Sequence, residues 1–142
     1  MFDELYNAEI LTLSASLKNE RLAAPHGSAR KVSKLCGSWV EIDLNIKESR
    51  ISEAALRVEA CALGQASAAI LRQAIIGASL DDITAAANAL RAMLKEGGEP
   101  PKGRFEKLAL LRGVKDYPAR HISTMLAFEA AREAFMQALE NA

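Results

Sequence analysis

The chain has 142 residues, half of them apolar and a quarter charged, with 18 basic side chains balanced by 18 acidic ones. That length suits one domain, residues 1–142, with a real hydrophobic core, and the interspersed neutral charge argues against a nucleic-acid or anionic-membrane surface. Two cysteines are too few for a disulfide framework, and no apolar run reaches membrane-spanning length. The acidic start Met1-Phe2-Asp3-Glu4 is unlike a signal peptide, so the expected home is the reducing cytoplasm. There, two free thiols point to metal, sulfur chemistry or plain packing.

The stretch from about Phe2 to Leu17 reads as a helix, with Leu5, Ala8, Leu11 and Ala15 at helical spacing. Pro25 and Gly27 end any continuation, so Leu22 to Ser28 reads as a loop. A short first strand is expected over Arg30 to Lys34.

From Ser38 to Lys47 the chain alternates: Val40, Ile42, Leu44 and Ile46 are apolar, and Glu41, Asp43, Asn45 and Lys47 are polar. Ile51 to Ala60 repeats the pattern, with Ala54, Leu56 and Val58 against Ser52, Glu53, Arg57 and Glu59, and Ala55 as the one exception. Each is a strand with one face on a core and the other in water. The polar turn Lys47 to Arg50 joins them as an antiparallel hairpin. Directly opposed residues share a face, so the numbers of paired residues sum to 96 or 98, with a three- or five-residue loop. Either register sets Cys36 opposite residue 60 or 62, which makes Cys36 and Cys61 neighbours at the open end of the hairpin.

A helix rich in small residues follows over Ala62 to Ala78. Gly64 and Ser67 leave room for another backbone, though Gly64 weakens the helix itself. Ser79 reads as the N-cap of the next helix, whose apolar stripe is Ile83, Ala87, Leu90 and Leu94. Gly97-Gly98 and Pro100-Pro101 stop it. Phe105, Leu108 and Leu111 suggest a short helix closed by Gly113. The last helix buries Met125, Phe128, Ala131, Phe135 and Leu139 and keeps Glu129, Arg132, Glu133 and Glu140 in water. The sum is an α+β fold: a small, mainly antiparallel three-stranded sheet with helices packed on its apolar face.

The runs Cys36-Gly37-Ser38, Ala60-Cys61-Ala62-Leu63-Gly64-Gln65-Ala66-Ser67 and Tyr117-Pro118-Ala119-Arg120-His121-Ile122-Ser123 resemble the IscU/SufU/NifU N-terminal-domain family. Its members are scaffolds or sulfur acceptors in iron–sulfur cluster assembly. The segment Lys95 to Val114 is similar to the insertion that marks the SufU type, and Pro118-Ala119-Arg120 also looks SufU-like.

The family's metal site uses three cysteines and an aspartate in a Cys-Gly-Asp turn. Cys36 and Cys61 match the first two cysteines. Ser38 stands at the aspartate position and Ser123 at that of the third cysteine, so both read as vestigial site positions. A neutral hydroxyl binds Zn²⁺ or Fe²⁺ far less well than thiolate or carboxylate.

The resemblance therefore implies a scaffold-like protein, not an enzyme, that binds iron or a transient iron–sulfur cluster, or accepts sulfur, at Cys36 and Cys61. His121 is a third candidate ligand. Cys61 heads a helix whose dipole favours thiolate, which makes it the candidate persulfide acceptor, with Arg120 as thiolate stabiliser. Zinc is disfavoured because two of its expected ligands are absent. The implied partners are a cysteine desulfurase and other iron–sulfur assembly factors. A homodimer or an external thiol is one way to complete a cluster's ligands. The alternative is a non-catalytic adaptor or regulator of that machinery that has lost cluster binding.

Overall fold

A computed structural model describes residues 5–141. In chain order the elements are α1 (Ala8–Ser16), β1 (Gly27–Val32), β2 (Trp39–Lys47), β3 (Arg50–Glu59), α2 (Ala62–Ala74) and α3 (Leu80–Glu96). Two 3-10 segments follow, Gly103–Asp116 and Pro118–Arg120, and lead into α4 (His121–Asn141). The strands form one antiparallel sheet in the order β1-β2-β3. The expected α+β architecture is thus present.

Register in the β2–β3 hairpin is the one in which paired numbers sum to 98, from Trp39↔Glu59 to Asn45↔Glu53. The loop differs from expectation. Only Glu48 and Ser49 lie between Lys47 and Arg50, both at positive φ (53° and 63°), the geometry of a tight two-residue hairpin turn. A bulge beyond Asn45 shifts the register back, leaving Ser52 as the extra residue and keeping both apolar sets on one face. β1 runs Gly27–Val32 instead of Arg30 to Lys34, because its amides find partners along β2 as far back as Leu44.

The apolar face carries Val40, Ile42, Leu44, Leu56 and Val58, all buried against α4 and its neighbours. Gly27 packs so closely on α4 that a Cβ there would collide with the Ala134 carbonyl oxygen.

The other face is not simply in water. The segment after α1 crosses it, and its polar groups are met one by one. Glu20 N donates to Leu56 O (2.9 Å), Val58 N to Asn19 Oδ1 (3.0 Å) and Leu22 N to Asp43 Oδ2 (3.0 Å). Asp43 and Arg57 are buried beneath it as a two-bonded ion pair at 2.9 and 3.1 Å, and Ala55 is buried with them. Their expected exposure is corrected: strand alternation shows which residues share a face, not what lies over it. Burial by itself would raise the Asp43 carboxyl, but bonds from Arg57, Ser28 and the Leu22 amide outweigh it and hold it below its ordinary value.

The helices differ from expectation in detail. α1 buries Ile10 and Leu13 while Leu11 is exposed, so its inward face is rotated from the expected one. Residues 2–4 of the expected first helix lie outside the described residues. α2 stops at Ala74, short of Ala78, and Arg104 Nη1 donates to the carbonyl of Ala74, its last residue, and to that of Ile76 in the turn beyond (2.9 and 2.8 Å). Ser79 does cap α3, forming a reciprocal pair of bonds with Asp82. Phe105, Leu108 and Leu111 are buried as expected, but in a 3-10 segment that runs past Gly113 to Asp116. In α4, Met125, Phe128, Ala131 and Phe135 are buried, whereas Leu139 is 46% exposed one turn from the end.

Candidate functional site

The site lies at the end of the sheet where β2 and β3 part. Cys36 sits in the turn between β1 and β2. That turn is closed by Gly37 N donating to Ser33 O (2.8 Å) and Ser33 N to Ser38 O (2.7 Å), with Gly37 at φ +77°. No Cβ is tolerated cheaply at that φ, which explains a glycine between Cys36 and Ser38. The turn leaves Cys36 exposed. Its Sγ lies 3.1 Å from Ser38 Oγ and 3.4 Å from Ser33 Oγ. The Ser33 hydroxyl, then the Ser38 hydroxyl and amide, outweigh a slight burial and, with the positive field of Arg120, lower the thiol from 9.0 to about 7.

Cys61 is half-buried at the N-cap of α2, with φ −64° and ψ 168°. Its side chain makes no capping bond. Instead Sγ faces Ser123 Oγ at 3.6 Å, in the first turn of α4. Ser123 Oγ donates to Arg120 O (3.2 Å), and Thr124 Oγ1 to the same carbonyl (2.7 Å). Gly64 permits this meeting of the two helices: a Cβ there would stand 2.9 Å from Ala60 Cβ and 3.1 Å from Ser123 O.

His121 is buried and turned the other way. Its Nε2 lies 3.0 Å from Val114 O and 3.1 Å from Lys115 O. Two carbonyls are served by that nitrogen only if it carries the proton, so Nε2 is a donor to the backbone. Among the described residues no three His, Cys, Asp or Glu side chains stand together as a metal cage. The chain's donors here are two thiols and three hydroxyls, a set that does not fit a resident divalent metal.

Ser33, not singled out in the sequence, belongs to the site. Its only sequence signal is its place three residues before Cys36 in a Gly-containing turn. Val32, Leu35 and Ile122, at 50, 67 and 42% exposure, add apolar side chains to the turn and to the start of α4.

The fold is a small α+β domain that presents two thiols near one end of its sheet, the exposed one lowered to about 7. The model of the NifU-like N terminal domain matches residues 6–124, and the chain belongs to that family. The iron–sulfur cluster assembly scaffold protein IscU of Streptococcus pyogenes serotype M1 is 27% identical over 99 residues, which cover 70% of this chain and 62% of that protein. The scaffold protein IscU of Thermotoga maritima is 26% identical over 99 residues, covering 70% of this chain and 69% of its own length. The chain thus spans about two thirds of the curated relatives' length. The crystal structure of a nitrogen-fixing NifU-like protein (N-terminal) from Brucella abortus matches with a TM-score of 0.95 and 40% identity, over 99% of both chains. Among the described residues no helix is long and apolar enough to cross a membrane.

Proposed function

We propose that this protein serves iron–sulfur cluster assembly by accepting sulfur at the Cys36–Cys61 end of its sheet. The observation that carries this reading is Cys36: an exposed thiol lowered to about 7 by two hydroxyls and an amide, beside the charge of Arg120. A thiolate at neutral pH is the nucleophile that sulfur transfer needs. The donor is a cysteine desulfurase carrying a persulfide, and Val32, Leu35 and Ile122 supply the apolar rim on which such a partner docks. Cys61 is the second thiol, half-buried behind the first turn of α4. Iron or a cluster, as cargo, needs more than these two thiols, so its remaining ligands come from a second chain or an external thiol.

A second reading is favoured by the lack of any three-ligand group among the described residues. In it the chain is an adaptor that binds the assembly machinery and carries neither sulfur nor iron.

Incubation with a cysteine desulfurase and cysteine, followed by peptide mass spectrometry, separates the two. The first reading expects the mass of one added sulfur on a cysteine peptide, lost in the Cys36→Ser/Cys61→Ser variant. Desulfurase binding without any sulfur on either peptide would establish the adaptor. Anaerobic reconstitution with iron and sulfide, read by absorbance, reports whether cargo is held.

A further inference from the structure

Every thiol of the site is met by a serine that is itself hidden from water. Cys36 Sγ has Ser38 Oγ at 3.1 Å and Ser33 Oγ at 3.4 Å, and Cys61 Sγ has Ser123 Oγ at 3.6 Å. The three serines are 7, 1 and 1% exposed. Building on the proposed function, we infer that these buried hydroxyls, in place of a metal ion, hold the thiols ready, so that sulfur transfer to this chain is metal-independent.

The argument rests on the chemistry of the donors. Two thiolates leave a tetrahedral divalent ion half coordinated, and a neutral hydroxyl is a poor third ligand. The one nearby imidazole has its Nε2 proton shared between the Val114 and Lys115 carbonyls. Only its Nδ1 keeps a lone pair, and among the described residues no third His, Cys, Asp or Glu stands with the two thiols as a metal cage. What a metal does for a thiol is to remove its proton. At Cys36 the Ser38 hydroxyl is placed to do part of the same work by donating to the sulfur, whereas the Ser123 proton goes to the Arg120 carbonyl and its oxygen is left to accept from Cys61.

They also leave a sulfur lone pair free for attack. The Ser38 hydroxyl can donate or accept, so it serves a thiol, a thiolate and a persulfide in turn. Arg120 adds positive charge on the Cys36 side without occupying the sulfur.

The step balances without an external oxidant or reductant. The thiolate attacks the terminal sulfur of the donor persulfide. A new S–S bond forms on this chain, the donor's own S–S bond breaks, and the donor cysteine leaves as thiolate. The terminal proton travels with the transferred sulfur.

The test uses the full chain, stripped with EDTA and given glutathione persulfide as the sulfur donor, with and without added Zn²⁺ or Fe²⁺. Sulfur is counted on each cysteine peptide, and Zn²⁺ affinity is measured by competition with a chromophoric chelator. Transfer is expected to be the same in the stripped and metal-loaded samples, with Zn²⁺ held weakly. The Ser38→Asp/Ser123→Cys variant, shown to be folded by its melting curve, is expected to bind Zn²⁺ at least about 100-fold more tightly, the scale that even outer partners of metal ligands command.

Transfer that is lost on stripping and regained with metal overturns the inference and leaves the proposed function standing. Tight Zn²⁺ binding by the unaltered chain also overturns it, as does a folded variant that gains no affinity. Sulfur on neither thiol under any condition overturns the proposed function and this inference with it.

Discussion

Cys61 Sγ lies 3.6 Å from Ser123 Oγ, across 62 positions of sequence. The contact joins the N-cap of α2 to the first turn of α4, and it exists only because Gly64 has no side chain. In Gly64→Ala the new Cβ would meet Ala60 Cβ at 2.9 Å and Ser123 O at 3.1 Å. Alanine gains about 1 kcal/mol of helix propensity, but overpacking against backbone costs about 1–3 kcal/mol. The expected outcome is a net loss of stability in urea melts, together with faster alkylation of Cys61 as the helix ends separate. A stabilised variant with unchanged Cys61 reactivity would show that the approach is slack.

The acidity of Cys36 predicts an alkylation rate that rises with pH through about 7, well below the ordinary thiol value of 9.0. Ser33→Ala/Ser38→Ala removes the two hydroxyls and leaves the Ser38 amide. If the thiol returned fully to 9.0, its thiolate fraction near pH 7 would fall about 50-fold. Intrinsic nucleophilicity would rise about eightfold over the same two pKa units, so the net loss is at most about sixfold. The sign then reverses: above about pH 8 the variant should react faster than the parent. Iodoacetamide rates from pH 6 to 10 check both limbs. A variant slower at every pH would point to lost access instead.

Asp43 and Arg57 are paired beneath the segment that follows α1. Removing one partner strands the other, so Arg57→Met should cost about 3–5 kcal/mol, with much of it recovered in Asp43→Leu/Arg57→Met. The Asp43 carboxyl has a lowered pKa in the folded chain. Its contribution to stability is therefore complete above the unfolded value of about 3.9 and is lost as pH falls through the lower, native one. Melting temperatures between pH 2 and 6 should show a shallower acid limb for Asp43→Asn than for the parent.

Ser67, fully buried in α2, has a hydroxyl with no hydrogen-bond partner. Its desolvation is uncompensated, so Ser67→Ala should stabilise the protein by about 1 kcal/mol, or about 3–4 °C in melting temperature. A destabilised alanine variant would mean that the hydroxyl does bond in solution, through water or to the helix backbone.

Much of the fold was legible because strand alternation is a local signal. Val40, Ile42 and Leu44 against Leu56 and Val58 allow only registers that keep the two apolar sets together, and the sum of 98 is one of the two expected. The loop length was misjudged because a two-residue turn plus a bulge at Ser52 yields the same sum as a longer loop. The face of α1 was misread for a related reason. Leu11 and Leu13 are equally apolar, and only contact with α2 decides that Leu13 turns inward.

The candidate site was legible in its thiols and in the serines at Ser38 and Ser123, because their positions match a family pattern. Ser33 escaped notice because its role depends on a turn conformation that brings its hydroxyl back to Cys36. The expected ligand His121 is correctly at the start of the last helix. Which way its ring points was set by the Val114 and Lys115 carbonyls, at the end of a 3-10 segment whose length the sequence did not announce.

The sequence by itself determined the strands and the long helices, narrowed the hairpin register to two choices and picked out both thiols, since these follow from side-chain period and residue chemistry. Only the tertiary structure decided which face lies under the segment after α1, which thiol is exposed, and that each sulfur meets a hydroxyl. The reason is physical: pairing period is carried along the chain, whereas burial and the partners of a polar group depend on what the rest of the chain lays over it.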